Sequence, residues 1–266
     1  MPNDLGPRWR IGYMPYLNSA AFYARFEGDW FDMVELPPRN MAEAMQKGEL
    51  DAGPLPIAEV LRMGEDIVEG GLGVAADGPA RSVLMFSDVP AEEMSGKSVA
   101  VTGHTSTSVQ LLRILFHDYW SVGNVDLRGP EEECEAQLLI GDPALTRVYQ
   151  GGERMFAYDL SLEWQRLTGL PFVFARWVAR GDATSAELGR FAETLHRSFN
   201  YGMSHLEEIA DRVSIPGMTL SDVMTYIKGF TYILGDKELA AIEEFEKRLS
   251  YLPEWRPDVL PYFSTR

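Results

Sequence analysis

The chain has 266 residues, with 24 basic and 40 acidic side chains and a net charge of −16. A surface this acidic excludes a nucleic-acid binder, which needs a basic footprint, and a peripheral membrane role, since anionic lipid would repel it. Hydrophobic residues make up 45 %, ordinary globular usage, and no apolar run approaches the ~18 residues of a membrane-spanning helix. The residues from Met1 to Arg8 show no apolar stretch flanked by basic residues, so no secretory signal is expected. The single Cys134 has no partner for an internal disulfide, and the protein reads as cytoplasmic. A small anionic ligand stays compatible with the negative charge, because dipoles and a few cations in a shielded pocket can hold it.

In chain order, Trp9 to Met14 reads as a strand running into a loop at Pro15. Asn18 and Ser19 follow as candidate N-caps of a helical stretch from Ala20 to Phe26. A short strand at Val34 to Leu36 precedes an amphipathic helix from Asn40 to Glu49, with Asn40 as its cap and Gly48 at its C-terminal end. Asp51 to Pro56 ends a strand in a loop, and Ile57 to Met63 is helical. Alternation of strand and helix with short connections predicts a parallel or mixed sheet covered by helices. Ligands of such sheets bind beyond the C-terminal ends of the strands, where Asn18, Gly53 and Pro54 are expected.

Strands at Leu72 to Ala75 and Ser82 to Phe86 lead to a second cycle. It comprises a strand from Lys97 to Val101, a polar loop from Thr102 to Ser108 and an apolar helix from Val109 to His117. Further strands are expected at Val125 to Leu127, Ala136 to Asp142 and Pro171 to Val178, with a helix at Leu162 to Leu167. From Thr184 the pattern is almost entirely helical, with breaks near Ile215 to Gly217 and Leu234 to Gly235. Two cycles and a helical tail predict an α/β protein of two lobes with a cleft between them. Residues 1–88 and 179–266 would form a discontinuous first lobe and 89–178 an inserted second one.

The sharpest chemical signal is Thr105-Ser106-Thr107-Ser108 directly before an apolar helix. Helix N-terminal N–H groups lack internal partners and carry partial positive charge, and neighbouring hydroxyls add donors. Capping accounts for one hydroxyl, whereas four in a row suit an anion such as a carboxylate. Asn18-Ser19 reads first as a cap. Arg81 reads first as a solvated arginine, with bidentate pairing to an anion as the other role. Asp142 has three roles open to it: capping the next helix, bonding a ligand hydroxyl, or acting as a base. Asp159, at another strand end, is equally ambiguous.

None of His104, His117, His196 and His205 stands in a metal-binding spacing, so no metal site is expected. Cys134 lies among Glu131, Glu132, Glu133 and Glu135, whose charge disfavours a thiolate nucleophile. No nucleophile elbow, phosphate loop or dinucleotide fingerprint occurs.

The chain resembles the chorismate dehydratases of the menaquinone pathway. The resemblance runs through Ile11-Gly12-Tyr13, Tyr16-Leu17-Asn18-Ser19, Leu50 to Pro54, Arg81 to Leu84, Thr105 to Ser108, Ile140-Gly141-Asp142, Tyr158 to Leu160 and Leu167 to Val173. It reaches Tyr232 to Gly235 near the end, and the order of these motifs carries it. It implies the two-lobed, type 2 periplasmic-binding-protein-like fold. It also implies conversion of chorismate to 3-[(1-carboxyvinyl)oxy]benzoate, the first step of the futalosine route, without a metal or redox cofactor. By resemblance, Asn18 and Ser82 are catalytic. Ser19, Gly53, Arg81, Thr105, Ser106, Thr107 and Asp142 bind the substrate. Two alternatives stand beside this: a small-carboxylate binding protein of the same fold, and the sister 1,4-dihydroxy-6-naphthoate synthase, which shares the fold and uses a His base. His104 is the one histidine in a candidate site loop.

Overall fold

A computed structural model describes residues 8–64, 67–101, 106–151 and 155–252. The early strand–helix alternation builds a six-stranded sheet. Parallel β1 (Trp9–Tyr13), β2 (Phe31–Glu35) and β3 (Ala52–Pro56) stand beside antiparallel β10 (Phe172–Arg180), β4 (Ile67–Ala76) and β11 (Thr231–Ile233), in the order β11-β4-β10-β3-β1-β2. The second cycle builds a five-stranded sheet, β7-β6-β8-β5-β9. Its strands are β5 (Val83–Ser87), β6 (Ser98–Val101), β7 (Asp126–Arg128), β8 (Ala136–Ile140) and β9 (Phe156–Asp159). Each sheet with its helices is one lobe of a two-lobed α/β fold.

The lobe boundaries differ from the expected ones. β5 lies in the second sheet and β10 in the first. The chain therefore crosses between lobes in the segments 77–82 and 169–171, not at 88/89 and 178/179. All five β5 residues are buried and β10 is nearly so. Such continuous apolar runs fit any central strand, so periodicity gives no sign of which sheet receives them.

The helical tail packs on the first lobe. Helix α6 (Ser185–Ser204) lies against the 3-10 segment Leu17–Tyr23. Gly202 makes this approach possible, since a Cβ there would come within 2.8 Å of Ala21 Cα. The lobe's core is rich in aromatics: Phe22 meets Trp177, Phe199 and Tyr232 at centroid distances of 5.5, 5.3 and 5.4 Å, within the range of favourable edge and tilted packing. A second core spans both lobes. It joins α2 (Ile57–Met63), α3 (Thr107–Ile114), α5 (Leu160–Thr168) and α9 (Asp236–Ser250) through Ile57, Leu111, Trp164, Phe245 and Leu249, all essentially inaccessible to solvent. The C-terminal helix thus touches β10 of one lobe and α3 of the other.

Local chemistry departs from several expected caps. The stretch after β1 is a 3-10 segment beginning at Leu17, so Asn18 and Ser19 lie inside it and cap nothing. Helix α1 (Pro38–Gln46) starts at Pro38, two residues before Asn40, because proline's fixed φ suits the first helical turn. Gly53 and Pro54 stand within β3, and the connection to α2 has no intervening residue. Pro54 and Pro56 are tolerated there because pairing of β3 to β1 is confined to Ile11 and Ala52, so few ladder bonds are forgone. Among the described residues, no helix is long and apolar enough to cross a membrane.

Candidate active site

The C-terminal ends of β1 and β3 face those of the second lobe across a cavity of about 230 Å³. The first lobe supplies Met14, Tyr16 and Asn18 after β1, with Pro56, Val74 and Phe174 from its other strands. The second lobe supplies Val83, Thr107, Ser108, Ile140 and Pro143. The walls are mostly apolar, and the polar groups are few and neutral.

The loop bearing Asn18 is held from below. The Tyr23 hydroxyl donates to the Gly12 carbonyl at 3.1 Å and accepts from the Met14 N–H at 3.2 Å. Burial drives the Tyr23 phenol's pKa well up, so it stays a donor. Ser19 is fully buried and its hydroxyl donates to Asn18 Oδ1 at 3.2 Å. With Oδ1 occupied, the Asn18 Nδ2 is the end able to donate into the cavity. Ser19, expected to bind the substrate, is therefore not a wall residue; it bonds Asn18 from behind.

Ser82 lies at the first crossing, beside Val83, with 1 % of its surface exposed. Its Oγ accepts from the Tyr226 hydroxyl at 2.7 Å and donates only weakly, to the Ala80 carbonyl at 3.4 Å. Tyr226 belongs to α8 (Leu220–Lys228). The Ser82 carbonyl accepts from the Gly141 N–H at 2.7 Å. Gly141 has φ 71° and ψ −140°, a conformation that favours glycine. It turns the chain into α4 (Asp142–Gln150) close to the Tyr16 ring of the other lobe.

Asp142 is the first residue of α4 and makes no cap bond, against the simplest expectation. One carboxyl oxygen, Oδ1, is buried and has no partner among the described residues. Burial raises its pKa. Tyr16 is raised too, by burial first and then by the Asp142 charge, which places the two groups within electrostatic reach of each other.

The hydroxyl run behaves differently at each position. Thr105 and His104 lie outside the described residues. Ser106 is at the N-cap of α3 without a cap bond, and its buried Oγ has no partner among the described residues. Thr107 lines the cavity while its Oγ1 accepts from the Ala58 N–H at the start of α2, at 3.2 Å. That bond ties the lobes together and leaves the Thr107 hydroxyl proton to donate elsewhere. Ser108 also lines the cavity.

Two expected site residues are elsewhere. Gly53 is in the β-ladder, where a Cβ would sit 3.4 Å from Gly12 Cα and 3.3 Å from Leu50 Cδ2; it serves close packing of β3 on β1. Arg81 is exposed and borders a separate hollow of about 420 Å³ with Tyr226 and Lys228. Its φ of 64° is unusual for a side chain of this size. Asp159 holds that turn, accepting from the backbone N–H groups of Ala80, Arg81, Ser161 and Leu162 at 2.6–3.3 Å. The ambiguous acid of β9 is thus a cap of α5 and an anchor of the crossing.

Tyr226 and Phe174 escaped the sequence reading. Tyr226 falls on the apolar face of an amphipathic helix, where a tyrosine reads as core, and nothing local ties it to Ser82, 144 positions away. Of the described histidines, His117 pairs with Asp118 at 2.6 Å, His205 stacks on Tyr201, and His196 is exposed; none lines the cavity. Among the described residues no group of three or more His, Cys, Asp or Glu side chains is placed to hold a metal ion.

A family model described as menaquinone biosynthesis matches residues 9–251. The chain belongs to that family. A 1,4-dihydroxy-6-naphthoate synthase from Thermus thermophilus is 28 % identical, covering 93 % of this chain and 97 % of the relative. A chorismate dehydratase from the same organism is 23 % identical, covering 93 % and 98 %. In fold, the chain is similar to the periplasmic aliphatic sulphonate binding protein of Escherichia coli, with a TM-score of 0.62 at 18 % identity over 93 % of this chain and 94 % of that one. The family is enzymatic, which sets this chain apart from carriers that share only the fold.

Proposed function

We propose that the chain is a cytoplasmic chorismate dehydratase, removing water from chorismate to give 3-[(1-carboxyvinyl)oxy]benzoate on the futalosine route. The observation that carries this reading is the chemistry of the cavity edge. Neutral donors stand there: Asn18, Thr107 and the neighbouring Ser82.

The reaction needs such donors more than a strong base. A proton leaves the ring carbon that bears the enolpyruvyl ether. The electron pair spreads, through the conjugated double bond, into the ring carboxylate. Hydroxide then departs from the adjacent carbon, combines with a proton as water, and the ring becomes aromatic. Fixed donors aimed at the carboxylate where charge collects lower this barrier with little reorganisation. Asn18 Nδ2 and the Ser82 hydroxyl take that role. The start of α3, with Ser106 and Thr107, holds a substrate carboxylate by its N–H groups and hydroxyls. Asp142, whose Oδ1 has no partner among the described residues, accepts from the substrate hydroxyl. The side-chain carboxylate of the substrate itself takes the ring proton. Ser19 and Gly53 act behind the wall in this scheme, and Arg81 stands outside it.

The higher identity to the naphthoate synthase, 28 % against 23 %, favours a second reading in which the chain performs that later step. Offering the purified protein chorismate in one reaction and the cyclic futalosine-derived substrate in another separates the two. Chromatography should show the enolpyruvyl benzoate from the first and no change in the second. The opposite pattern establishes the synthase.

A further inference from the structure

We propose that Tyr226 is the positioning residue of this reaction: its phenol holds the Ser82 oxygen as an acceptor, so that the Ser82 proton is the one presented to substrate. The inference rests on the reading of Ser82 as a donor to the developing charge.

A serine hydroxyl has one proton and two lone pairs, and it rotates to suit its partners. Left alone beside carbonyls, it would turn its proton to the backbone. Here the Tyr226 hydroxyl occupies one lone pair at 2.7 Å, and both side chains are almost wholly buried. The remaining backbone acceptor, the Ala80 carbonyl, is 3.4 Å away and competes poorly for the Ser82 proton. The direction of the chain of bonds follows from the phenol being the better donor. Burial, with Asp142 and Asp159 nearby, pushes its pKa up, so it keeps its proton at neutral pH.

A second consequence comes from polarisation. Hydrogen bonds in series strengthen one another in a low-dielectric interior. As the substrate gathers negative charge and pulls on the Ser82 proton, the Ser82 oxygen gains charge that the Tyr226 proton meets. The bond is thus stronger in the transition state than in the ground state, which is the condition for an effect on turnover. The crossing segment fixes the geometry on one side, since Asp159 clamps the N–H groups of Ala80 and Arg81. Helix α8, with Tyr232 bonded to the Ile227 carbonyl at 3.1 Å, fixes it on the other.

The test is a double-mutant cycle on chorismate turnover with Tyr226→Phe, Ser82→Ala and the pair. Tyr226→Phe should lower kcat about tenfold with KM little changed. In the Ser82→Ala background the same substitution should have no further effect, because the group it positions is gone. An equal loss in both backgrounds would assign Tyr226 a merely structural role and overturn the proposal, as would normal kcat in Tyr226→Phe. Near-normal turnover in Ser82→Ala would instead remove the underlying donor reading, a distinguishable failure that takes the proposal with it. If Tyr226→Phe does not fold, 3,5-difluorotyrosine installed at position 226 keeps the ring and strengthens the donor. It should raise kcat at unchanged KM, and an unaltered kcat contradicts the proposal.

Discussion

At the scale of single residues, the proposed dehydration depends on two neutral donors, Asn18 and Ser82, and on what orients them. Removing one preorganised donor to a developing oxyanion typically slows turnover by about 10²–10³-fold. Asn18→Ala and Ser82→Ala should each do so, measured as initial rates of benzoate formation, with unfolding curves unchanged enough to exclude collapse. Near-normal rates in either would remove that residue from the mechanism. Ser19→Ala should give a smaller loss, because it frees the Asn18 amide to rotate while leaving it present. Asn18 was legible in the sequence only as part of a polar loop after a strand; resemblance gave it a role, and the Ser19 bond occupies its Oδ1, leaving Nδ2 as the donor. Arg81 shows the opposite limit. From the residues it reads first as a solvated arginine, and only the resemblance made it a substrate ligand; it is exposed, and Asp159 draws its backbone into a left-handed turn beside a different hollow.

At the scale of elements, two helix starts make measurable claims. Thr107 joins α3 to α2 by accepting from the Ala58 N–H. Thr107→Val keeps the shape and leaves that buried N–H unpaired, at a cost of about 1–3 kcal/mol. Denaturant unfolding should show a lowered midpoint, and the KM for chorismate should rise; an unchanged midpoint would contradict the inter-lobe bond. The second start is the capping box of α6. The Thr184 N–H and hydroxyl donate to Glu187, with help from the Trp9 indole and Arg180, and lower its pKa from 4.5 to about 2. A carboxylate with a depressed folded-state pKa adds stability above its unfolded pKa and loses it as pH falls through the folded value. Wild type should therefore lose stability between about pH 4.5 and pH 2 more steeply than Glu187→Gln. Parallel curves across that window would rule the effect out. The start of this helix at Thr184 was legible from the helical pattern, but its capping box with Glu187 was not read from the sequence. The caps expected at Asn18 and Asn40 failed where a 3-10 turn and Pro38 determined the local geometry instead.

At the scale of the whole molecule, the alternation of strands and helices fixes two sheets and a cleft, and the charge fixes how an anion arrives. β5 and β10 were placed in the wrong lobes because buried strands alternate with nothing; only hydrogen-bond partners reveal their sheet. The two-lobe core through α2, α3, α5 and α9 was illegible for a related reason, since each helix shows one apolar stripe and no partner. The net charge of −16 repels a dianionic substrate at long range. Raising ionic strength from 10 to 150 mM shortens the screening length from about 30 Å to about 8 Å. Over that range kcat/KM for chorismate should rise a few-fold with kcat unchanged. A fall in kcat/KM would instead indicate a cleft whose local attraction dominates capture.

The central claim, that this cleft dehydrates chorismate, meets its most direct test in the ultraviolet spectrum of chorismate mixed with the purified protein. The diene absorbance should give way to that of a substituted benzoate, mole for mole, and the change should disappear in the Asn18→Ala, Ser82→Ala double variant. A spectrum that stays that of chorismate while the ligand binds would contradict it.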